Sequence, residues 1–167
     1  LLEELYGIAL PRELLVEFSA IVQALTEKLD REIKPQEIYE QFIATYAVET
    51  GPYRLVDYDL LNGRKEDQRC VARVEINDSV VTIDGEGSGP IEAFVNAMVE
   101  TLNEPVVVVD YHEHAMDTST DAQAICIMAI GANTSATRCY GIGISRNTIT
   151  ASLNAIISAL NRRWSNA

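Results

Sequence analysis

The spacing of hydrophobic residues changes about fifty residues into the chain. Before Gly51 and Pro52 the apolar residues recur at helical spacing, and after them they follow the shorter period of strands. Pro11 suits a first helical turn, and a second helix is predicted to begin at Pro35. The stripe after Pro11 is Leu14, Leu15, Phe18, Ile21, Val22, Leu25 and Leu29. We therefore predict a small helical subdomain over residues 1–50 and a second domain over residues 51–167.

The second part of the chain contains a repeated order of elements, three strands followed by a helix. The first set is predicted at Tyr53–Leu61, Gln68–Ile76, Val80–Gly85 and Pro90–Leu102. The second set is predicted at Val106–His114, Ala122–Ile130, Cys139–Ile144 and Thr148–Trp164. Aligning the two helices with Ile91 on Ile149 gives six identities in thirteen positions. We predict an α+β fold of two βββα units, about 53–103 and 105–165, related by an internal pseudo-twofold and preceded by the helical subdomain.

Charge and composition narrow the range of partners. The formal net charge is −12, and the 13 lysines and arginines are scattered, which disfavours nucleic acid and anionic membranes as partners. No apolar run reaches the roughly 18–20 residues of a membrane span, and Glu3 and Glu4 stand where a signal peptide carries basic residues. The first residue is not Met, so we expect a piece of a longer protein, and we expect that protein to be cytoplasmic. The three cysteines fall in apolar segments and are predicted to be buried and reduced.

A glycine-rich loop, with Gly85, Gly87 and Gly89, precedes the helix that begins at Pro90. The order of strand, glycines and helix resembles a dinucleotide-binding fingerprint, but that fingerprint needs Gly or Ala where Pro90 stands. A second interpretation is a site for a small anion or carboxylate, because a helix N-terminus offers unpaired N–H groups. A third is that the glycines only turn the chain. The residue pattern alone leaves all three open.

A second candidate site is the histidine pair His112 and His114, which the strand period places on one face. This spacing is compatible with zinc, with Asp110 or Glu113 as an additional ligand, and equally with a polar strand end. No nucleophile with a partnered base is evident in the sequence. The pattern favours a binding domain over a catalyst.

Several motifs together resemble the C-terminal regulatory domain of the 2-isopropylmalate synthase family. They are GSGP (Gly87–Pro90), DYHEHAM (Asp110–Met116), DAQA (Asp121–Ala124) and GIGISRNTITASLNAIISALNR (Gly141–Arg162), with LPRELLVEFS (Leu10–Ser19) similar to the helical subdomain before it. The resemblance implies two βββα units that form a homodimer and bind leucine as feedback inhibitor. It also implies a parent enzyme that condenses acetyl-CoA with 2-oxoisovalerate in a (β/α)₈ barrel holding a divalent metal. That barrel is absent from this sequence, so we expect no catalytic residue, metal or cofactor here and the catalytic domain of the same chain as a partner.

The resemblance also implies a leucine site. Gly87, Gly89 and the helix start would donate N–H groups to the leucine carboxylate, and Tyr111 would close the pocket. The apolar lining would be Ile91, Val108, Ala115 and Ala122. Two positions depart from the family pattern: Glu92 replaces a residue that is usually small, and Ser88 replaces a frequent Asn. Glu92 would either accept the leucine ammonium group or repel the carboxylate.

Besides a nucleotide-dependent or metal enzyme, two other functions remain open from the sequence. One is a dimerisation module whose ligand site has decayed. The other is a sensor of a different amino acid, such as isoleucine in the related citramalate synthases. The motif Leu10–Ser19 favours the isopropylmalate synthase family over these relatives.

Overall fold

The secondary structure follows the predicted order of helices and strands. A computed structural model of the chain describes residues 2–116, 122–131 and 138–165. The helical segment contains α1 (Leu2–Tyr6), α2 (Arg12–Leu29) and α3 (Pro35–Tyr46). The first repeat contains β1 (Tyr53–Asn62), β2 (Gln68–Ile76), β3 (Ser79–Gly87) and α4 (Pro90–Leu102). The second contains β4 (Val107–Ala115), β5 (Ala124–Gly131), β6 (Cys139–Ser145) and α5 (Thr148–Ser165).

This order confirms the predicted α+β class and the two βββα units. The strands form two separate antiparallel sheets, in the orders β1-β2-β3 and β4-β5-β6. Both first strands carry an irregularity at the same place, between Leu55 and Asp57 in β1 and between Val108 and Asp110 in β4. The repeat therefore extends to the bulges, with Asp57 corresponding to Asp110. The boundary between the two predicted domains, at residue 50, stays a prediction.

Each sheet is covered on one face by the helix of its own repeat at close range. A Cβ atom built on Gly85 would lie 2.4 Å from the Ala93 carbonyl oxygen, and one on Gly143 would lie 2.0 Å from that of Ala151. These distances are shorter than any van der Waals contact, so both positions require glycine. α4 and α5 also contact each other, and their buried faces share one hydrophobic core that includes Phe94, Met98, Met128, Leu153 and Ile156.

The helical segment packs on the opposite face of the second sheet. Ile125, Ile127 and Ile142 from β5 and β6 join Phe18 and Phe42 of α2 and α3 in a second core. Alternate residues of β5 therefore enter different cores, and every residue of this strand is buried. This explains why its sequence is continuously apolar instead of alternating.

The linker between the helical segment and β1 is held by one buried side chain, Asn161 of α5. Its Nδ2 donates to the carbonyl oxygens of Val48 at 3.1 Å and Tyr53 at 2.9 Å, and its Oδ1 accepts from the Tyr53 amide at 3.0 Å. A Cβ on Gly51 would lie 2.6 Å from the same Oδ1 atom. The linker thus has a fixed path across α5.

Candidate functional site

A cavity of about 540 Å³ lies between the first turns of α4 and the start of β4. One wall consists of the loop residues Ser88–Pro90 and of Ile91, Glu92 and Val95 from α4. Val106, Val107, Val108 and Tyr111 form the other wall. The lining is mainly apolar, with few polar groups, as in typical small-molecule sites.

The loop leaves the N-terminus of α4 without a side-chain cap. Gly89 is the N-cap residue, in extended conformation, and a Cβ built on it would meet no atom of the described residues within 4 Å. Pro90 has no N–H group, and the amides of Ile91 and Glu92 have no acceptor among the described residues. The first amide with a partner is that of Ala93, which donates to the Gly89 carbonyl at 3.0 Å. Open space and two unpaired donors therefore meet at this end of the cavity.

Glu92 is the only residue of this lining, within the described parts of the chain, with an acidic or basic side chain. Its Oε2 accepts a hydrogen bond from Ser88 Oγ at 2.9 Å, and its Oε1 lies 3.4 Å from the Ser88 amide nitrogen. The Cβ and Cγ atoms of Glu92 lie over Gly87, and a Cβ built on Gly87 would be 2.8 Å from each of them. The carboxylate is thus held beside the loop and keeps free acceptor positions.

Tyr111 stands on the strand side of the cavity and is 39% exposed. Its hydroxyl donates to the Glu113 carboxylate on the same strand. Partial burial, together with this hydrogen bond, raises the pKa of Tyr111 to about 12. The hydroxyl is therefore protonated at neutral pH and remains a donor.

In the second repeat, a side chain of the protein itself accepts hydrogen bonds from the corresponding amides at the helix N-terminus. In the alignment that places Ile91 on Ile149, Asn147 occupies the place of Gly89. Its Oδ1 accepts hydrogen bonds from the amides of Ile149 at 2.9 Å and Thr150 at 3.1 Å. These two amides correspond to the unpaired amides of Ile91 and Glu92. The first repeat lacks the internal acceptor that the second repeat possesses.

In the second repeat, the space between the helix N-terminus and the strand that faces it is also filled. Tyr58 of β1 corresponds to Tyr111 of β4, and its hydroxyl lies 2.6 Å from Thr150 Oγ1. Helix α5 packs directly against β1 there. Of the two equivalent positions, one is filled by Asn147, Tyr58 and Thr150, and the other is the open cavity.

Comparison with known proteins places the chain in a family. A family model described as the LeuA allosteric (dimerisation) domain matches residues 32–164. The chain belongs to the LeuA allosteric (dimerisation) domain family. The predicted membership in the regulatory part of the 2-isopropylmalate synthases is confirmed.

Curated relatives cover nearly all of this LeuA domain. The 2-isopropylmalate synthase of Cupriavidus taiwanensis is 38% identical over 162 residues, which are 97% of this chain and 28% of that protein. The 2-isopropylmalate synthase of Brucella suis is 36% identical over 160 residues, 94% of this chain and 28% of that protein. That of Rhodospirillum rubrum is 36% identical over 163 residues, 96% of this chain and 29% of that protein. The chain spans under a third of the length of these relatives.

Four of the seven predicted site residues lie together around the cavity of the LeuA domain. They are Gly89, Ile91, Val108 and Tyr111. They come from both repeats, because α4 belongs to the first and β4 to the second. The structure thus brings together residues that are separated in sequence by the whole length of α4.

The other three predicted residues do not line this cavity. Gly87 is buried beneath Glu92, and a Cβ there would also lie 2.7 Å from the Ala93 amide nitrogen, so its part is to let loop and helix approach. Ala115 lies at the far end of β4, paired with Ala124 of β5. Ala122 is half-buried just before β5, and Asp121 of the same motif lies outside the described residues. Binding of a ligand by these residues stays a prediction.

Three lining residues were not predicted from the sequence. Val95 lies one turn after Ile91 on α4, and the helical period would have identified it. Val106 and Val107 join Val108 at the cavity, although strand alternation places neighbouring side chains on opposite faces. The bulge comes after Val108 and explains a different pair, because it brings Val108 and Tyr111, three positions apart, to the same side of the sheet, where they pair with Ile130 and Met128.

The histidine pair of β4 has other partners than a metal. His112 Nε2 lies 3.1 Å from Asp110 Oδ2, and His114 Nε2 accepts a hydrogen bond from the Ala9 amide at 3.1 Å. Within residues 2–116, 122–131 and 138–165, no three metal-ligating side chains cluster together. No helix in these ranges is long and apolar enough to cross a membrane.

Proposed function

We propose that this chain is the leucine-sensing regulatory domain of a 2-isopropylmalate synthase, with leucine bound in the cavity between α4 and β4. The observation that carries the proposal is the difference between the repeats. Asn147 supplies an acceptor for the N-terminal amides of α5, whereas Gly89 leaves the corresponding amides of α4 open. An external carboxylate would complete the first repeat as Asn147 completes the second.

The leucine carboxylate is assigned to the amides of Ile91 and Glu92. Both amides lie at a helix N-terminus, where the aligned peptide dipoles favour negative charge. Hydrogen bonds to a charged acceptor are stronger than neutral ones. The absence of a side chain at Gly89 provides the space for this group.

The isobutyl side chain is assigned to the apolar walls. Ile91 and Val95 would contact it from the helix, and Val106 and Val108 from the strand. Burial of a side chain of this size contributes on the order of 2 kcal/mol. A difference of one methylene changes affinity only modestly, so selectivity against valine and isoleucine would depend on the shape of these walls.

The ammonium group is assigned to the Glu92 carboxylate. This side chain already lies beside the loop and accepts from Ser88, which leaves acceptor positions for a ligand. It would favour an amino acid over the 2-oxo acid of the same skeleton, because the latter offers no cation. Tyr111 would cover the ligand from the strand side.

The wider setting of this domain is also part of the proposal. The condensation of acetyl-CoA with 2-oxoisovalerate, and the divalent metal it uses, are assigned to a catalytic barrel of the same protein in the cytoplasm. The residues of this chain are assigned regulation and formation of a homodimer. The family name and the 2-isopropylmalate synthases among the relatives support this assignment.

Isothermal titration calorimetry of the purified chain tests the proposal. We expect leucine to bind with one site per chain and more tightly than isoleucine or valine, in a sample that light scattering shows to be dimeric. Tighter binding of isoleucine would identify a sensor of the citramalate synthase kind. A dimer that binds none of the three amino acids would identify a dimerisation module without a ligand.

A further inference from the structure

Strand β4 takes part in two contacts that lie on its opposite faces. Tyr111 points with Glu113 and Ala115 to the side of α4 and α5, whereas His112 and His114 point to the helical segment. The same strand therefore forms a wall of the proposed leucine site and a support for the segment that precedes the sheets. Tyr111 and His114 are three positions apart, which is about 10 Å along the strand.

The contact with the helical segment is specific. The turn between α1 and α2 lies over the end of β4, where the Ala9 amide donates to His114 Nε2 at 3.1 Å. Gly7, at φ +69°, lies so close to this strand end that a Cβ would be 1.9 Å from the Met116 carbonyl oxygen. Met116 is itself fixed to the start of β5 by the hydrogen bond from its amide to the Gln123 carbonyl at 2.9 Å. The turn is thus seated on β4 through one side-chain acceptor and one close backbone contact.

We propose that His114 is a positioning residue that transmits occupancy of the cavity to the helical segment through β4. The inference rests on the proposed function, because it requires a ligand between α4 and β4. A ligand in that space contacts Val108 and Tyr111 and fixes the position of the strand. The His114 ring moves with the strand and carries the acceptor of the Ala9 amide with it.

The strand is suited to act as one body. After the bulge, β4 is paired with β5 at every position from Asp110 to Ala115. β5 is buried on both faces, so the pair shifts as a unit instead of bending locally. Leucine and a seated turn then favour the same position of β4, and the linkage between them is reciprocal.

The test measures both ends of the strand in the 167-residue chain. Hydrogen exchange of the Ala9 amide is followed by NMR with and without saturating leucine, and leucine affinity is measured by calorimetry. In the wild type we expect leucine to slow Ala9 exchange about fivefold or more. His114→Phe keeps a ring but removes the acceptor, so the exchange response disappears and leucine affinity falls by the same factor.

Two matched variants separate coupling from a general loss of structure. His114→Gln provides an acceptor oxygen near the place of Nε2 and is expected to restore both the exchange response and the affinity. His112→Phe changes the neighbouring histidine of the same face, whose bond is to Asp110, and is expected to leave both unchanged. If His114→Phe does not fold, the proposal is tested by the Ala9 exchange response of the wild type and by the exchange response and leucine affinity of His114→Gln.

Distinct outcomes overturn the two proposals. Absence of leucine binding in the wild type overturns the proposed function and this inference together. Leucine binding with unchanged Ala9 exchange overturns only the inference. The same holds for a full exchange response in folded His114→Phe.

Discussion

The substitution Gly89→Asn gives the first repeat the cap of the second and has opposite effects on stability and binding. Gly89 has φ −154° and ψ 179°, extended angles that any residue adopts, and its side-chain direction is open. The new carboxamide oxygen would accept hydrogen bonds from the Ile91 and Glu92 amides, as Asn147 does from Ile149 and Thr150. The ligand carboxylate would then find its donors occupied.

The two magnitudes follow from these bonds. Replacing Gly by Asn at an N-cap stabilises a helix by a few tenths of a kcal/mol. For a chain of this size that raises Tm by about 1 °C. Each hydrogen bond to a charged group contributes about 1.5–3 kcal/mol, so loss of two bonds costs about 3 kcal/mol or more. This corresponds to a leucine affinity about 100-fold lower.

Calorimetric titration with leucine and thermal unfolding without ligand measure the two effects in one preparation. Gly89→Ala is the matched control, because it adds a Cβ in the same open space but no acceptor. We expect it to reduce affinity less than Gly89→Asn and not to raise Tm. A Gly89→Asn protein with raised Tm and unchanged leucine affinity would refute the placement of the carboxylate at the start of α4.

Three further predictions concern the rest of the chain. Asn161→Leu leaves three backbone groups of the linker without their hydrogen-bond partner. It should lower the free energy of unfolding by about 3 kcal/mol in a urea titration. A loss below about 1 kcal/mol would contradict the role of Asn161 in fixing the linker. The hydrogen bond with Arg31 lowers the pKa of Glu37 from 4.5 to about 2, so the stabilising pair is complete above pH 4.5 and is lost as pH falls towards 2. An NMR titration should show this, and an unchanged Glu37 titration in Arg31→Ala would argue against the pair. Burial raises the pKa of Cys70 to about 11 and that of Cys126 to about 12. Iodoacetamide should therefore modify both thiols only after unfolding, as measured by mass spectrometry. Rapid modification of the native chain would contradict their burial.

The sequence predicts best the elements with a clear hydrophobic period. The bounds of α4 and β2 agree with the prediction at both ends, because Pro90 fixes the helix start and alternation defines the strand. Helix α1 was not predicted beyond the general helical character of the first fifty residues, since five residues are too few to show a helical period. β5 begins at Ala124 and not at the predicted Ala122, a shift of the kind expected at strand ends.

The candidate site depends on features that no single segment of sequence displays. Gly89 was a candidate from the glycine-rich loop and from the resemblance to the family, and Tyr111 from the resemblance alone. The sequence does not show that Asn147 accepts hydrogen bonds from two amides of α5. That contact indicates what the first repeat lacks, because Gly89 has no side chain that could accept from the amides of α4. Nor does the sequence show the bulge in β4, which brings Val108 and Tyr111 to the same side of the strand.

The sheet face that is turned away from α4 and α5 differs between the two sheets. This difference explains why the helical segment is in contact with the second sheet. In the first sheet that face carries the ion pairs of Arg73 with Asp57 and Arg69 with Asp84, which lie in solvent and contribute little to stability. In the second sheet it is apolar and is covered by α1–α3. Within the described residues, the core of the helical segment is shared with the second sheet, whose first strand is also a wall of the cavity. A ligand that alters the position of β4 would therefore act on the sheet that supports the helical segment.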